Sequence, residues 1–516
     1  MSEGQKQQLE QKLWDIANTL RGRINADEYR NYILGFIFFK YLSEKQHIYA
    51  NTLLQDEVVK EYTDVKDSET LEAIREESLA QLGYYLAPEQ LFDVIAKKGG
   101  NAFIIEELEA TLNYIEQSTM GTDSEEDFNG LFQDVDLASS KLGKTPDKRN
   151  EVIVEILGKL NEIDFKLQDI ESDVLGDAYE YLISNFAAGA GKSAGEFYTP
   201  QQVSTILAKL VSLGKDKLRS VYDPTCGSGS LLLRVARECK VADFYGQELN
   251  PTTYNLARMN MILHDLHFSR FNIEQDDTLE SPHHLENRFE AIVANPPFSA
   301  HWKGDANPLN NQDVRFAQYG KLAPKTKADF AFLQHMYYQL ADNGTVASVF
   351  PHGVLFRGAA EGVIREYFIK ELNAIDAIIG LPANIFYGTS IPTCIVVLKK
   401  CRKADDNIVF IDASGEGNYI KDGTQNKLCT EDVERIVSAY ANREEIDKYC
   451  NIATLAEIAE NDYNLNIPRY VDTFEEEEAI DVEAVSVRLQ AINSELVDVD
   501  EKLAKFCNEL NIPTPF

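Results

Sequence analysis

The sequence has no C-x-x-C pair and no H-E-x-x-H, and its seven cysteines (226, 239, 394, 401, 429, 450 and 507) are scattered and odd in number. That argues against a disulfide framework and a thiolate zinc site and points to a reducing cytosol. The eight histidines show no metal-ligand spacing either, so no metal is expected. No run of eighteen apolar residues is present, and no membrane-spanning helix is expected. The opening Met1-Ser2-Glu3-Gly4-Gln5-Lys6 lacks the basic-then-apolar pattern of a secretory signal, and a cytoplasmic protein is expected. Basic residues are scarce as well: 50 Lys and Arg stand against 84 Asp and Glu, a formal net charge of −34. A protein that binds nucleic acid unaided is ordinarily basic, because neutralising phosphates and releasing counterions supply much of its affinity. So acidic a chain either leaves nucleic acid alone or relies on a partner for most of the contact, its acidic faces limiting non-specific binding.

What is there is a globular composition, 44% apolar and 10% aromatic over 516 residues, long enough for two or three domains. Residues 1–150 read as an all-α domain. Leu9, Leu13, Ile16 and Leu20 recur at helical spacing, and Asn25-Ala26-Asp27-Glu28 has the form of a cap before the apolar stretch Tyr32 to Leu42. The polar segment Gly121 to Lys148 reads as an irregular or mobile connection. From 165 to 425, short apolar runs at Val221-Tyr222, Phe244 to Gly246, Ala291 to Ala294, Val346 to Phe350, Ile375 to Ile379 and Cys394 to Leu398 alternate with amphipathic stretches such as Gln202 to Leu213 and Asp329 to Leu340. This predicts an α/β domain, a Rossmann-like mixed sheet, open and mostly parallel, with helices on both faces. In the region 426–516, Val485, Leu489, Ile492, Leu496, Val499, Leu503, Phe506 and Leu510 alternate spacings of four and three. They predict a heptad helix over about 480–510. Two readings of its seam stand: packing on the chain's own core, or pairing with a partner subunit.

Two loops carry chemistry, and both follow strands, where open α/β sheets bind ligands. In Asp223-Pro224-Thr225-Cys226-Gly227-Ser228-Gly229-Ser230 the glycines permit positive φ and close backbone approach, and the Asp223 carboxylate can hold an ammonium group. A structural turn would explain the glycines equally well; the specificity lies further on. Glu248 ends the next strand about 25 residues later, where an acidic side chain can accept both hydroxyls of a ribose. Leu231 and Leu232 break the G-x-G-x-x-G pattern, which disfavours NAD and leaves S-adenosylmethionine as the better cofactor. Asp277 follows a third strand and could accept from an adenine amino group; as a turn residue it needs no such role. The second loop is Asn295-Pro296-Pro297-Phe298. A carboxamide oxygen and the Pro296 carbonyl can grip an NH2 group, and an aromatic ring can stack on the base that carries it. Together the loops predict an N6-adenine DNA methyltransferase. Gly191-Lys192-Ser193 is a decoy: the first glycine of a P-loop would fall at Phe186, so ATP binding is not expected.

The order G-E-F-Y-T-P (195–200), D-P-T-C-G-S-G-S (223–230), G-Q-E-L-N (246–250), D-D-T-L (276–279), N-P-P-F (295–298) and N-I-F-Y-G-T-S-I-P-T-C-I-V-V-L (384–398) closely resembles the modification (HsdM) subunit of type I restriction-modification systems. The likeness spans nearly the whole chain and includes D-Y-N-L-N-I-P-R-Y at 462–470. It implies a γ-class N6-adenine methyltransferase that uses S-adenosylmethionine, double-stranded DNA as substrate, and two copies working with one specificity (S) subunit that reads the sequence. A restriction (R) subunit can join them. By position the resemblance implies that Glu196, Phe197, Tyr198, Thr199, Pro200 and Gln201 line the cofactor pocket, with Thr199 near the cofactor's carboxylate. Asp223 would face its amino group, and Thr225, Gly227, Ser228, Gly229 and Ser230 would pass beneath its methionine portion. Glu248 would bind the ribose and Asp277 the adenine. The family often has Gly where Asp276 stands, which leaves the choice between Asp276 and Asp277 open.

The resemblance also accounts for the charge, since the family carries no target-recognition domain of its own. One stretch is locally basic: Lys303, Arg315, Lys321, Lys325 and Lys327 lie between Ser299 and Lys327 against only Asp305 and Asp313, with Trp302, Phe316 and Tyr319 interleaved. Its place after Asn-Pro-Pro-Phe favours a loop that closes on phosphates and a flipped base over a solvated loop. An enzyme that methylates a protein glutamine would use the same amine chemistry, but such enzymes are much shorter. A non-catalytic binding role sits poorly with so many intact site residues. Cytosine C5 methylation would need a cysteine nucleophile at the Asn-Pro-Pro-Phe position.

Overall fold

The computed structural model describes residues 3–18, 26–99, 102–165, 167, 174–189, 199–386, 389–404, 406–423, 425–473 and 481–515. They divide into two compact units, Met1–Asp472 and Thr473–Phe516.

The six apolar runs named between 165 and 425 lie in β1 (Lys217–Asp223), β2 (Lys240–Glu248), β4 (Phe289–Ala294), β5 (Leu340–Pro351), β6 (Ile375–Gly380) and β7 (Thr393–Lys399), and the third strand expected before Asp277 is β3 (Phe271–Gln275). Four further strands follow: β8 (Ile408–Asp412), β9 (Ile420–Asp422), β10 (Gln425–Lys427) and β11 (Cys450–Ala453). Nine make one sheet in the order β11-β8-β6-β7-β5-β4-β1-β2-β3, and β9 with β10 forms a separate hairpin. The sheet is mixed. The run β5-β4-β1-β2-β3 is parallel throughout, whereas β7 lies antiparallel between β5 and β6, and β11 lies antiparallel to β8.

Neighbouring residues on a strand enter different cores. Val221, Ala291, Val293, Ala377 and Ile379 join a cluster shared with the helical region, while Tyr222, Ile292, Ala294 and Ile378 join the cluster on the other face. A strand buried on both faces needs apolar residues in succession, and each fully buried Val or Ile contributes roughly 1.5–3 kcal/mol. This is why the runs read as continuous and not alternating.

The N-terminal region is helical, with helices at Glu3–Asn18, Ala26–Leu53, Ser68–Gln81, Ile105–Ser118 and Pro146–Asn161, the last crossing residue 150. Leu20, and Asn25 of the expected cap, lie outside the described residues, and the second helix begins at Ala26. The segment 121–148 is irregular, but it is no loose connection, because Phe128, Leu131, Phe132, Leu137 and Leu142 are buried in the core. It also docks on the helix Pro251–Leu263. Asp134 accepts from Thr252 Oγ1 at 2.8 Å and from Asn255 Nδ2 at 3.1 Å, and Arg258 Nη1 donates to the Glu126 carbonyl at 2.7 Å.

Among the described residues of the C-terminal unit one helix spans Val482–Leu510. The Asp481 side chain caps it by accepting from the N–H groups of Glu483 and Ala484, and Asn511 ends it in the left-handed conformation. Val485, Leu489, Ile492, Leu496, Val499, Leu503, Phe506 and Leu510 are all exposed along it.

Candidate active site

β1 is parallel to both β2 and β4, so Asp223, Glu248 and Asn295 arrive at the same edge of the sheet. β1 ends at Asp223, and the chain turns through Gly227 (φ 55°) and Gly229 (φ 78°) into the helix Ser230–Glu238. Glycine suits position 229 because its φ is left-handed; a Cβ there would also stand 2.5 Å from Met261 Cε, so that the methionine tip would have to shift. The loop is tied down from three sides. The Gly227 N–H donates to Glu248 Oε2 at 3.0 Å, the Cys226 N–H to the Gln247 carbonyl at 3.0 Å, and Asn260 Nδ2 to the Ser228 carbonyl at 2.9 Å.

Asp223 is 1% exposed. Its Oδ1 accepts the Thr225 N–H at 2.9 Å, whereas among the described residues no group bonds its Oδ2. Burial, reinforced by the nearby Glu248, pushes the Asp223 carboxyl up to about 8 despite the Thr225 hydrogen bond. Burial also raises Glu248, against the backbone N–H groups of Asn250 and Gly227 that favour its charged form. Two carboxyls so placed fit a cationic, hydroxyl-bearing ligand such as S-adenosylmethionine: an ammonium group would satisfy Asp223 Oδ2, and the remaining lone pairs of Glu248 suit a diol. Cys226 is buried with its thiol pushed well above the ordinary range, and its Sγ would lie 3.0 Å from a Cβ on Gly246. It is a packing residue and not a nucleophile.

Beyond β3, Asp277 Oδ1 accepts the N–H groups of Leu279 (2.9 Å) and Glu280 (3.3 Å) and so shapes the turn. Asp276 instead turns towards His283, its Oδ2 lying 3.6 Å from Nε2. The turn is fastened to the glycine loop by Thr278 Oγ1, which donates to the Pro224 carbonyl at 2.5 Å, and to β2 by the buried Gln247, whose Nε2 donates to the Ser281 carbonyl at 2.9 Å.

Asn295 to Phe298 leave the end of β4, where Ser348 Oγ donates to the Ala294 carbonyl at 3.1 Å. Asn295 Nδ2 donates to Thr199 Oγ1 at 3.2 Å, which brings the segment before the helix Gln201–Ser212 to the Asn-Pro-Pro-Phe loop. Pro296 is buried, and Phe298 is half-buried with its ring edge-on to Phe386 at 5.6 Å. Thr199 and Pro200 are buried beside Gln201; Glu196, Phe197 and Tyr198, together with Gly191-Lys192-Ser193, lie outside the described residues.

The basic loop needs one correction. Lys303, Lys321 and Lys325 are exposed and Lys327 is half-buried, but Arg315 is only 1% exposed. Its guanidinium donates to the carbonyls of Thr278 (2.9 Å) and Leu279 (2.7 Å), to Asp313 and to His335 Nδ1. Arg315 therefore staples the loop to the Asp277 turn and does not face a phosphate. Because arginine only donates, His335 Nδ1 accepts, and its Nε2–H is left to donate to Tyr222 Oη at 3.0 Å. Burial and Arg315 hold that imidazole neutral, well below its usual range. Trp302, Phe316 and Tyr319 are likewise buried, Trp302 against Phe316 and Tyr319 against Tyr367 and Phe368, and are not available to stack on bases.

Sequence reasoning missed Asn260, Gln247 and Asp329. A signal for the first was present: an amide between Met259 and Met261, in the apolar run at the end of its helix, is buried and must find a partner.

Residues 170–479 match the family described as N-6 DNA Methylase, and residues 9–160 match the HsdM N-terminal domain. The chain belongs to the N-6 DNA methylase family, among the methylase subunits of type I restriction enzymes. It is 37% identical to the MpnII methylase subunit of Mycoplasma pneumoniae over 98% of this chain and 97% of that protein. It is 29% identical to the MjaVIII methylase subunit of Methanocaldococcus jannaschii, over 93% of this chain and 81% of that one. The crystal structure of a type I restriction-modification methyltransferase subunit from Streptococcus thermophilus superposes with a TM-score of 0.84 at 43% identity, covering 91% of this chain and all of that one. The methylase subunit is thus an adenine-specific N6 DNA methyltransferase, as its motifs predict, on the mixed α/β sheet with helical additions that they imply. No helix among its described residues is long and apolar enough to cross a membrane, and none of those residues form a cluster that could hold a metal ion.

Proposed function

We propose that this methylase subunit transfers a methyl group from S-adenosylmethionine to N6 of an adenine flipped out of double-stranded DNA. The observation that carries the reading is the juxtaposition, on adjacent parallel strands, of the buried Asp223 carboxylate and the Asn295 amide. S-adenosylmethionine supplies an activated methyl group on a sulfonium. Asp223 takes the ammonium, Glu248 the ribose hydroxyls and Asp277 the adenine amine, while Thr225 and Gly227 to Ser230 face the methionine portion. Asp277 is preferred to Asp276 because Asp276 is turned to His283. Glu196 to Gln201 line the cofactor pocket.

The target amine is conjugated with its ring and nucleophilically poor, and inside a duplex it is unreachable, so extrusion costs a few kcal/mol. Stacking on Phe298 recovers roughly 1–3 kcal/mol of this. Asn295 Oδ1 and the Pro296 carbonyl accept the two amine hydrogens and direct the nitrogen lone pair; Pro297 fixes the backbone direction between them and Phe298. As the N6–methyl bond forms, the methyl–sulfur bond breaks and the sulfonium leaves as a neutral thioether, while the surplus amine proton passes to water; catalysis is positioning and electrostatics without a covalent intermediate.

The acidic chain works in the cytoplasm with a specificity subunit that supplies most of the DNA contact, two copies to one, and a restriction subunit joins them. The domain plan follows: a helical part to about 150, a catalytic part over 165–425, and a C-terminal part from 426 whose heptad helix meets the specificity subunit. The unbroken heptad spacing from Val485 to Leu510 supports that contact. Deleting 480–516 should weaken co-purification with that subunit; unchanged assembly rejects it.

The deciding experiment is transfer of labelled methyl to unmethylated genomic DNA, by the chain alone and then with its specificity subunit, followed by digestion to nucleosides. N6-methyladenine appearing only in the complex is the expected result. Label in protein instead of DNA would refute the reading.

A further inference from the structure

We infer that Asp329 is a positioning residue for the Asn295–Phe298 loop; the inference rests on the role of Asn295 proposed above. Ser299, directly after Phe298, has φ 52°. A non-glycine residue keeps that conformation only where its surroundings over-determine it. Asp329 does so. Its Oδ1 accepts the Ser299 N–H at 2.8 Å, and its Oδ2 accepts the Ser299 hydroxyl at 3.4 Å. Beside it the Ala328 N–H donates to the Ala300 carbonyl at 2.9 Å, so the two ends of the lysine-bearing loop are pinned together at this point. One tie fixes the exit of Asn-Pro-Pro-Phe and the base of the loop that follows.

Asp329 is 2% exposed and heads the helix Asp329–Gln339, where a carboxylate suits the positive end of the helix. A buried carboxylate needs a cation, and Arg357 provides it: Nη1 bridges Asp329 Oδ2 at 3.2 Å and Glu361 Oε1 at 3.0 Å. The guanidinium in turn has its place because residue 353 is glycine. A Cβ there would stand 2.1 Å from Arg357 Nη2. Arg365, 4% exposed, anchors the same turn by donating to the carbonyls of Val354 (3.1 Å) and Arg357 (2.8 Å). The chain of cause runs from the room at Gly353 to the guanidinium, then to the carboxylate, then to Ser299, and so to the direction in which Phe298 and the Pro296 carbonyl meet a base. Asp329 acts through the loop backbone and not on the adenine. A displacement of about 1 Å at a reacting group costs on the order of a hundredfold in rate, which is the scale such a tie protects.

The test is methyl transfer to unmethylated genomic DNA by the complex with the specificity subunit. Asp329→Ala should lower kcat at least tenfold while the S-adenosylmethionine Kd, read by calorimetry, stays within twofold. Asp329→Asn, whose amide oxygen still accepts the Ser299 N–H, should recover most of the loss. Gly353→Ala, which evicts the guanidinium and leaves Asp329, Arg357 and Glu361 intact, should lower kcat in the same way, and it serves where Asp329→Ala does not fold. Wild-type kcat in both variants overturns the inference. So does cofactor affinity falling in step with kcat, because that marks a general loss of structure. Asn295→Ala is run alongside. If it still methylates adenine, the role of Asn295 fails and the inference with it; if it is inactive while Asp329→Ala and Gly353→Ala match wild type, only the inference falls.

Discussion

The Gly227 N–H donates to the Glu248 carboxylate at 3.0 Å, joining the tips of β1 and β2. Glu248 Oε1 meanwhile accepts the Asn250 N–H at 2.9 Å. The side chain assigned to the ribose is therefore also the strut that shapes the glycine loop, and the two roles can be separated. Glu248→Gln keeps one oxygen for the loop but cannot accept twice from a diol. Its NH2 faces one of the two N–H groups, so it should weaken S-adenosylmethionine about tenfold and lower the melting temperature less than Glu248→Ala does. Glu248→Ala loses both roles and should weaken binding further and lower the melting temperature. Calorimetry beside thermal denaturation checks the pair; equal affinity in Glu248→Gln and wild type removes Glu248 from the ribose.

Asp223 makes binding depend on pH. Its carboxyl is raised to about 8 by burial, so near neutrality the free site is largely protonated. An ammonium ligand favours the carboxylate, and binding below that value must release a proton. Affinity should rise by up to about tenfold per pH unit towards 8 and then level off. Calorimetry at pH 7 in two buffers of different ionisation enthalpy should report close to one proton released, and Asp223→Asn should release none and bind more weakly. The stability sign is the reverse. A carboxyl raised by folding contributes stability that is complete below the ordinary carboxylate range and is lost as pH climbs through about 8. Asp223→Asn should therefore melt above wild type at pH 8, a gap that closes in acid.

The parts of this molecule legible in its sequence are those where chemistry or burial forces a residue type locally. β1, β2 and β4 to β7 announce themselves as apolar runs because both faces of the sheet are covered, and the two candidate loops because few other residues can turn, grip or stack as they do. β8 has a comparable run, Ile408 to Ile411, yet the motifs drew no attention to it. β9, β10 and β11 are short, polar or at the sheet's edge, and nothing local demanded them. Arg315 was misplaced for a definite reason: composition counts a charge but does not show that its donors meet carbonyls of the Asp277 turn. Asp329 was invisible because its partner, Ser299, is thirty positions away in the chain and is engaged through its backbone.

Asn295→Ala tests the division of labour between the loops. The variant removes the amide oxygen assigned to the target amine but leaves Asp223 and Glu248 in place, so methylation should fall at least a thousandfold while cofactor affinity changes by less than about threefold. Methyl incorporation and calorimetry on the same preparation measure both. Loss of the two together would mean that Asn295 serves the cofactor pocket, through Thr199 and the segment it anchors, and not the adenine.

Arg315 and the exposed lysines of the same loop should part company. Arg315→Met strands the Thr278 and Leu279 carbonyls and the Asp313 carboxylate, and removing one member of a buried ionic network costs about 3–5 kcal/mol. The melting temperature should drop and activity with it, whatever the salt concentration. Replacing Lys303, Lys321 and Lys325 together by Gln should leave melting unchanged, since all three are exposed, and instead flatten the salt dependence of DNA binding. Each phosphate that is no longer neutralised takes about 0.9 off the slope of log affinity against log salt, so the slope of the triple variant should be shallower by between about one and three. An unchanged slope in the lysine variant would leave the loop without a DNA role; an altered slope with unchanged melting in Arg315→Met would return that arginine to the interface, against its hydrogen bonds.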